Sequence, residues 1–257
     1  MNKEEIQKRI LEIGEENIEE FVKTRISELE NMGEEKSVEH STFRDYISLR
    51  THYKPGENSN SECPDLLFDD YLPYCNLVKN LSINGTYNEY AALTLVFFEI
   101  YKYLPSEDAT GLIRGFTYAS HKDDKLSIKV IRDNKCANCY EKAALAHNLF
   151  KFLGFDSELV NGYRDGQKYA FNIVYPNGYN GDTALIFDST LYVDFEKDGT
   201  KYPYAYFEAV KQEDINRLLN KEDVDLDLGK TETILRTTYG LDDSYKFNGN
   251  NKKYEIG

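Results

Sequence analysis

CANCYEKAALAHNLFKFLGFDSELVNGYRDGQKYAFNIVYPNGYNGDTALIFDST, Cys136 to Thr190, is the stretch whose order of elements decides the fold. Cys139 follows Asn138, a good helix-capping residue, and opens an amphipathic helical pattern that runs to Leu153. Gly154 then stands where a left-handed cap would close the helix. Three runs with strand character follow, Ser157–Gly162, Tyr169–Tyr175 and Ala184–Phe187. The last two are joined by PNGYNGD, a segment rich in turn residues, and Asp188 ends the third run. A helix followed by short consecutive strands predicts an α+β fold, with a helical lobe packed on a mainly antiparallel sheet.

The position of Cys139 carries chemical meaning. A thiol in the first turn of a helix feels the positive end of the dipole, and backbone amides there can bind an anion. Both effects favour thiolate, and the same amides can stabilise an oxyanion formed when sulfur attacks a carbonyl. The plainer reading is a small buried apolar residue, a common fate of cysteine.

The pattern downstream favours the chemical reading. Cys139, Ala143, Leu145, Leu149, Leu153 and the pair Gly154-Phe155 are followed by Tyr169-Ala170-Phe171-Asn172 and by Asp188-Ser189-Thr190. In this order the segment resembles the transglutaminase-like superfamily, which has the papain-like fold. The resemblance covers about 55 of the 257 residues. A weaker similarity links Cys139-Tyr140-Glu141 and Leu153-Gly154-Phe155-Asp156 to arylamine acetyltransferases, whose glycines before the cysteine are absent here.

The superfamily resemblance implies a catalytic site of Cys139, residue 169 and Asp188, supported by Asn138, Asn172 and Cys136. It implies acyl transfer or hydrolysis at peptide or glutamine amides through a thioester, without metal or cofactor. Where the family carries its catalytic histidine, however, this chain has Tyr169. An imidazole takes the thiol proton and returns it to the leaving group, and the aspartate holds it in place. A phenol is a poor base at neutral pH. The expectation is therefore an enzyme fold with impaired or altered activity. The alternative is a pseudoenzyme whose inherited cleft binds a peptide or protein without turnover.

Other residues compete for these roles. His147 lies eight residues beyond Cys139 on the same helix, about 12 Å along the axis and about 80° round it, too far to touch the sulfur. His121 precedes the cysteine in an ambiguous segment, and His40 and His52 lie near the N-terminal part. Cys136-Ala-Asn-Cys139 is a CxxC, which also admits zinc or redox readings. Zinc would need two further ligands, and Cys63 and Cys75 are not at a recognised spacing. A thioredoxin-like motif would need a βαβ context, which the surroundings supply only in part. For Cys136 the remaining choice lies between an incidental residue and a resolving partner for Cys139 under oxidation.

Working outward, residues 3–31 read as one helix with an apolar stripe at Ile6, Ile10, Ile13, Phe21, Val22 and Leu29. It is either a helix docked on the core or one through which the chain pairs with a partner or forms an oligomer. The clearest loop is KPGENSNSE, 54–62. The expected organisation is an N-terminal helical extension over 1–60, a transglutaminase-like domain over 61–247 and a flexible tail over 248–257. Within the domain, helices are expected at Asp65–Leu81, Tyr87–Leu104 and 204–220, and strands at Leu126–Ile131 and Thr231–Thr238. Thirty-one basic against 45 acidic residues give a net charge of −14, which disfavours nucleic acid and anionic membranes. The most apolar segment, Tyr90–Tyr103, is too short to span a bilayer and carries Glu99 and Lys102. Few cysteines and no apolar leader point to the cytoplasm, with a peptide or protein as the partner.

Overall fold

The computed structural model describes residues 1–35, 50–51, 66–83, 87–105, 117, 120, 126–178, 183–219, 228–249 and 254–256. The expected loop at 54–62, His40, His52, His121 and Cys63 lie outside the described residues.

The N-terminal helical segment is two helices, α1 (Lys3–Glu12) and α2 (Ile18–Glu35), and not the single helix expected. Ile13 and Gly14 are extended, and a 3₁₀ turn at Glu15–Asn17 restarts the chain. The apolar stripe nonetheless faces inward: Ile6, Ile10, Phe21, Val22 and Leu29 are buried in the chain's own core. A small sheet joins β1 (Arg50–Thr51), β2 (Leu66–Leu67) and β3 (Leu126–Ser127). Between the last two strands run α3 (Leu72–Ile83) and α4 (Glu89–Tyr103). The helix expected from Asp65 thus begins seven residues later, after a strand. The strand expected at Leu126–Ile131 stops after two residues. Ser127 accepts the Lys129 amide at 3.1 Å and caps α5 (Ile128–Asp133).

Next comes α6 (Cys139–Phe152), then β4 (Asp156–Arg164), β5 (Gln167–Tyr175), β6 (Thr183–Lys197) and β7 (Thr200–Lys211). The chain closes with α7 (Gln212–Leu219), α8 (Leu228–Tyr239), β8 (Lys246–Asn248) and β9 (Tyr254–Ile256). The main sheet has the order β7-β6-β5-β4-β9 and its pairs are antiparallel, as the α+β reading requires. Residues 254–256, within the expected tail, pair with Gly162–Arg164 at its edge.

Two expectations here are corrected. Residues 204–211 are strand, not helix, and 231–238 lie inside a helix, not a strand. Asp198-Gly199 is the cause of the first. Both residues have positive φ (52° and 76°) and link Lys197 to Thr200 in a two-residue hairpin, which sends the chain back along β6. Asp165-Gly166 (51° and 75°) turns β4 into β5 in the same way. For the second, Thr231 and Leu235 are buried, and the Thr231 hydroxyl accepts the Ala209 amide of β7 at 2.7 Å. Tertiary contact here outweighs the β preference of a threonine-rich segment.

The sheet's β4, β5 and β6 pack on one side of α6, and α2 and α4 pack on others. The helix is consequently not amphipathic in use: every residue from Tyr140 to Leu153 is buried. Its C-terminal end is closed by Gly154 at φ 81°, with the Gly154 amide on the Lys151 carbonyl and the Phe155 amide on the Phe150 carbonyl. Arg25 from α2 adds a bond to the Phe152 carbonyl at 3.2 Å.

A second polar tie fixes the helical side. Asp70 accepts from the Leu72 amide (2.9 Å), the Tyr103 hydroxyl (2.8 Å) and the Arg132 guanidinium (2.9 Å). Burial opposes its charge, but these three donors together hold the Asp70 carboxyl below its ordinary value. A depressed carboxylate contributes stability that is complete above its ordinary value and is lost as pH falls through the folded-state value. Asp70→Asn is expected to cost about 1–2 kcal/mol at neutral pH, since water reaches part of the cluster. It should also flatten the acid-side decline of stability measured by denaturant titration at successive pH values. Parallel profiles for both proteins would contradict this.

Candidate functional site

The N-terminal end of α6 is built by its capping residues. The Asn138 carboxamide accepts the Tyr140 amide at 2.9 Å, and Glu141 Oε2 accepts the Asn138 amide at 2.8 Å. This is a reciprocal capping box, and Asn138-x-x-Glu141 was its signature in the sequence. Asn138 also takes the Glu141 amide, so the first-turn amides of Tyr140 and Glu141 are used by the cap. These two are not the oxyanion donors that a thiol at a helix start leads one to expect. Cys139 is partly exposed at the head of this turn.

Tyr169 and Asp188 come from neighbouring strands and meet directly. The phenol donates to Asp188 Oδ1 at 2.9 Å. Asp188 is fully buried, and the same oxygen accepts the Thr190 amide (2.9 Å) and hydroxyl (2.8 Å). The Thr190 hydroxyl also lies against the Tyr169 hydroxyl. This cluster sits where β6 changes partner. Residues 185–187 pair with β5, residues 194–196 pair with β8, and the β6–β7 register shifts between Asp188 and Tyr192. Such an irregularity re-aims side chains and frees an amide, here that of Thr190, for a side-chain acceptor.

A fourth member was not foreseen. Arg164 donates to Asp188 Oδ2 at 2.6 Å and to the Tyr169 hydroxyl at 2.7 Å, with its guanidinium carbon 3.8 Å from the ring centroid. The hairpin register explains the meeting: Tyr169 is paired with Gly162, so Arg164 is its diagonal neighbour on the same face. Sequence alone shows Arg164 only as a residue beside an Asp-Gly turn.

The state of the phenol follows from these neighbours. Burial first, then the negative charge of Asp188, push the Tyr169 hydroxyl far above its ordinary range, with Arg164 acting in the opposite sense. Tyr169 therefore stays protonated and its proton points at Asp188. An imidazole has two nitrogens, one for the aspartate and one for the sulfur. The phenol has one oxygen, occupied by Asp188, Arg164 and Thr190.

Cys139 lies within electrostatic reach of Tyr169, and also of Lys142, one turn further along α6. Lys142 is buried to 2% exposure, which no feature of the sequence singled out. Burial lowers its ammonium, while Cys139, Asp188 and Glu141 act to keep it charged.

The expected supporting residues are placed differently. Asn172 is fully buried beneath the helix and donates to the Ala143 carbonyl at 3.0 Å. It fastens α6 to β5 and has no surface for a substrate. Cys136 is buried too, its thiol 3.7 Å from the Ile131 carbonyl. His147 is buried, with Nδ1 3.3 Å from the Ser157 hydroxyl. Among the described residues no cluster of three or more His, Cys, Asp or Glu can hold a metal ion, and no helix is long and apolar enough to cross a membrane.

Removing Arg164 takes from the buried Asp188 carboxylate the guanidinium that bonds it. Arg164→Met is expected to lower unfolding free energy by about 3 kcal/mol, the low end for breaking a buried pair, because Arg164 itself is partly hydrated. A loss below about 1 kcal/mol in denaturant unfolding would mean that the pair does not anchor the site. Comparison of the chain with protein-family models, curated proteins and solved structures finds no match.

Proposed function

We propose that this is a transglutaminase-like protein with a papain-like core, in which the Cys139 thiol forms a thioester with the carbonyl of a peptide or glutamine side-chain amide. The amine leaves and the acyl group passes to water or to another amine, in the cytoplasm, where the thiols remain reduced. Its chemistry is altered relative to a Cys–His–Asp site because Tyr169 occupies the histidine position. The observation that supports this reading is that a capped, partly exposed Cys139 lies within electrostatic reach of the Asp188-bound Tyr169.

The role of the phenol is to present Asp188 and Arg164 as a fixed electrostatic wall, not to move a proton. One observation favours the alternative of a binding-only cleft. Tyr103, Asp70 and Arg132 repeat the Tyr–Asp–Arg arrangement, with the Arg132 guanidinium carbon 4.9 Å from the Tyr103 ring centroid, and there it ties helices together. An Arg–Tyr–Asp cluster is thus compatible with a purely structural duty.

Alkylation separates the two readings. Cys75 is a slow internal reference, because burial and then the Glu19 charge push its thiol up. With iodoacetamide at neutral pH and peptide-resolved mass spectrometry, Cys139 should be labelled well before Cys75 and Cys63. Equal rates would defeat the enzyme reading. Tyr169→His should then restore a positioned acid–base group and raise amide hydrolysis by about 10²–10⁴-fold. An unchanged rate in a folded variant would count against residue 169 as the missing catalytic position.

A further inference from the structure

The reading of Cys139 as the reactive thiol leaves one gap: a thiol that attacks an amide must lose a proton and later deliver one to the leaving amine. Tyr169 does neither, since its proton is committed to Asp188 and its oxygen is surrounded. We infer that Lys142 fills this gap, serving as the counter-ion of the Cys139 thiolate and the proton donor to the leaving amine, in place of an imidazolium.

Three observations support it. Residues 139 and 142 stand three apart on one helix, so their side chains rise from neighbouring positions on the same face, with Cβ atoms about 5–6 Å apart. Lys142 is buried, an uncommon position for a lysine. Its charge interactions include those with Cys139 and Glu141 on α6 and Asp188 on β6. Tyr169 on β5, also within electrostatic reach of the thiol, stays neutral, and Arg164 on β4 is engaged with Asp188. An arginine stays charged, so of these three the lysine is the one that can both give and take a proton.

Burial opposes the ammonium, and an ionised sulfur beside it favours it. The ammonium in turn favours the thiolate that is left when the Sγ–H proton passes to water. The thiolate forms the C–S bond with the amide carbon, whose π pair moves to oxygen. As that pair returns, the C–N bond breaks and the departing nitrogen takes the proton from Nζ, leaving a thioester and a neutral lysine. In the second half a water or amine gives its proton to Nζ as it attacks, and sulfur leaves as the thiolate beside the restored ammonium.

The test is the pH profile of Cys139 alkylation in Lys142→Met, a replacement of similar length without a charge. The variant should label Cys139 roughly tenfold more slowly at neutral pH, because an unassisted thiol is only a few per cent ionised. The midpoint of the profile should also move upward while Cys75 is unaffected. A folded variant with an unchanged Cys139 profile overturns the inference but leaves the thiol reading standing. If the wild-type Cys139 labels no faster than Cys75, the thiol reading fails and the inference falls with it. Should Lys142→Met not fold, the wild-type chain decides. Lysine side-chain nitrogen NMR and thiolate absorbance must then show a shared titration step, since interacting groups titrate as a pair. Independent steps overturn the inference.

Discussion

The Cys139 helix is enclosed by the sheet on one side and by helices on others, so the polar groups at its ends must be satisfied inside the protein. Everything around the candidate site answers to that requirement. At the C-terminal end, the Gly154 turn and Arg25 take the free carbonyls, and Lys3 backbone atoms would stand 2.9 Å from any Cβ added at Gly154. At the N-terminal end Asn138 and Glu141 take the free amides. The cap that holds Cys139 in place therefore also consumes donors that a thiol enzyme would use for an oxyanion. Stability of the helix and reactivity of its first residue draw on the same backbone groups.

How much of this was legible in the sequence depends on the range of the interaction. Asn138 as cap, Gly154 as stop and the three strands after them are local signals; the helix and the first two strands lie where those signals put them, while the third runs on past Phe187 to Lys197. The Tyr169–Asp188 meeting followed from a family resemblance, not from spacing. Arg164 was invisible because its nearness to Tyr169 depends on hairpin register, which Asp165-Gly166 sets. That turn, and its twin at Asp198-Gly199, were readable as two-residue hairpins. Recognising the second would have turned 200–211 into a strand and corrected the helix expected there. Thr231–Tyr239 was beyond reach: its helical state rests on packing against β7.

Lys142 shows a different limit. In sequence it is one polar residue in CYEKAALAHNLF, and helical periodicity would send a lysine to solvent. It is buried because α6 is a central helix, which only the layers around it reveal. A lysine loses considerable solvation in such a position, and the loss is borne only where other charges offset it or where the neutral amine prevails. The residues that offset it here are the thiol, Asp188 and Glu141, all of them members of the site or of its cap.

The two Tyr–Asp–Arg clusters sharpen what distinguishes the site. In both, a phenol and a guanidinium converge on one carboxylate. At Asp70 the cluster joins α4, α5 and the start of α3, and the result is mechanical. At Asp188 it joins three strands, and a partly exposed thiol and a buried lysine lie within reach of it. A cation bound to Asp188 offsets part of that carboxylate's charge, which leaves Lys142 freer to act on the sulfur. With the Tyr169 phenol shared between Asp188 and Arg164, the lysine stands on the helix of the thiol and not on the sheet.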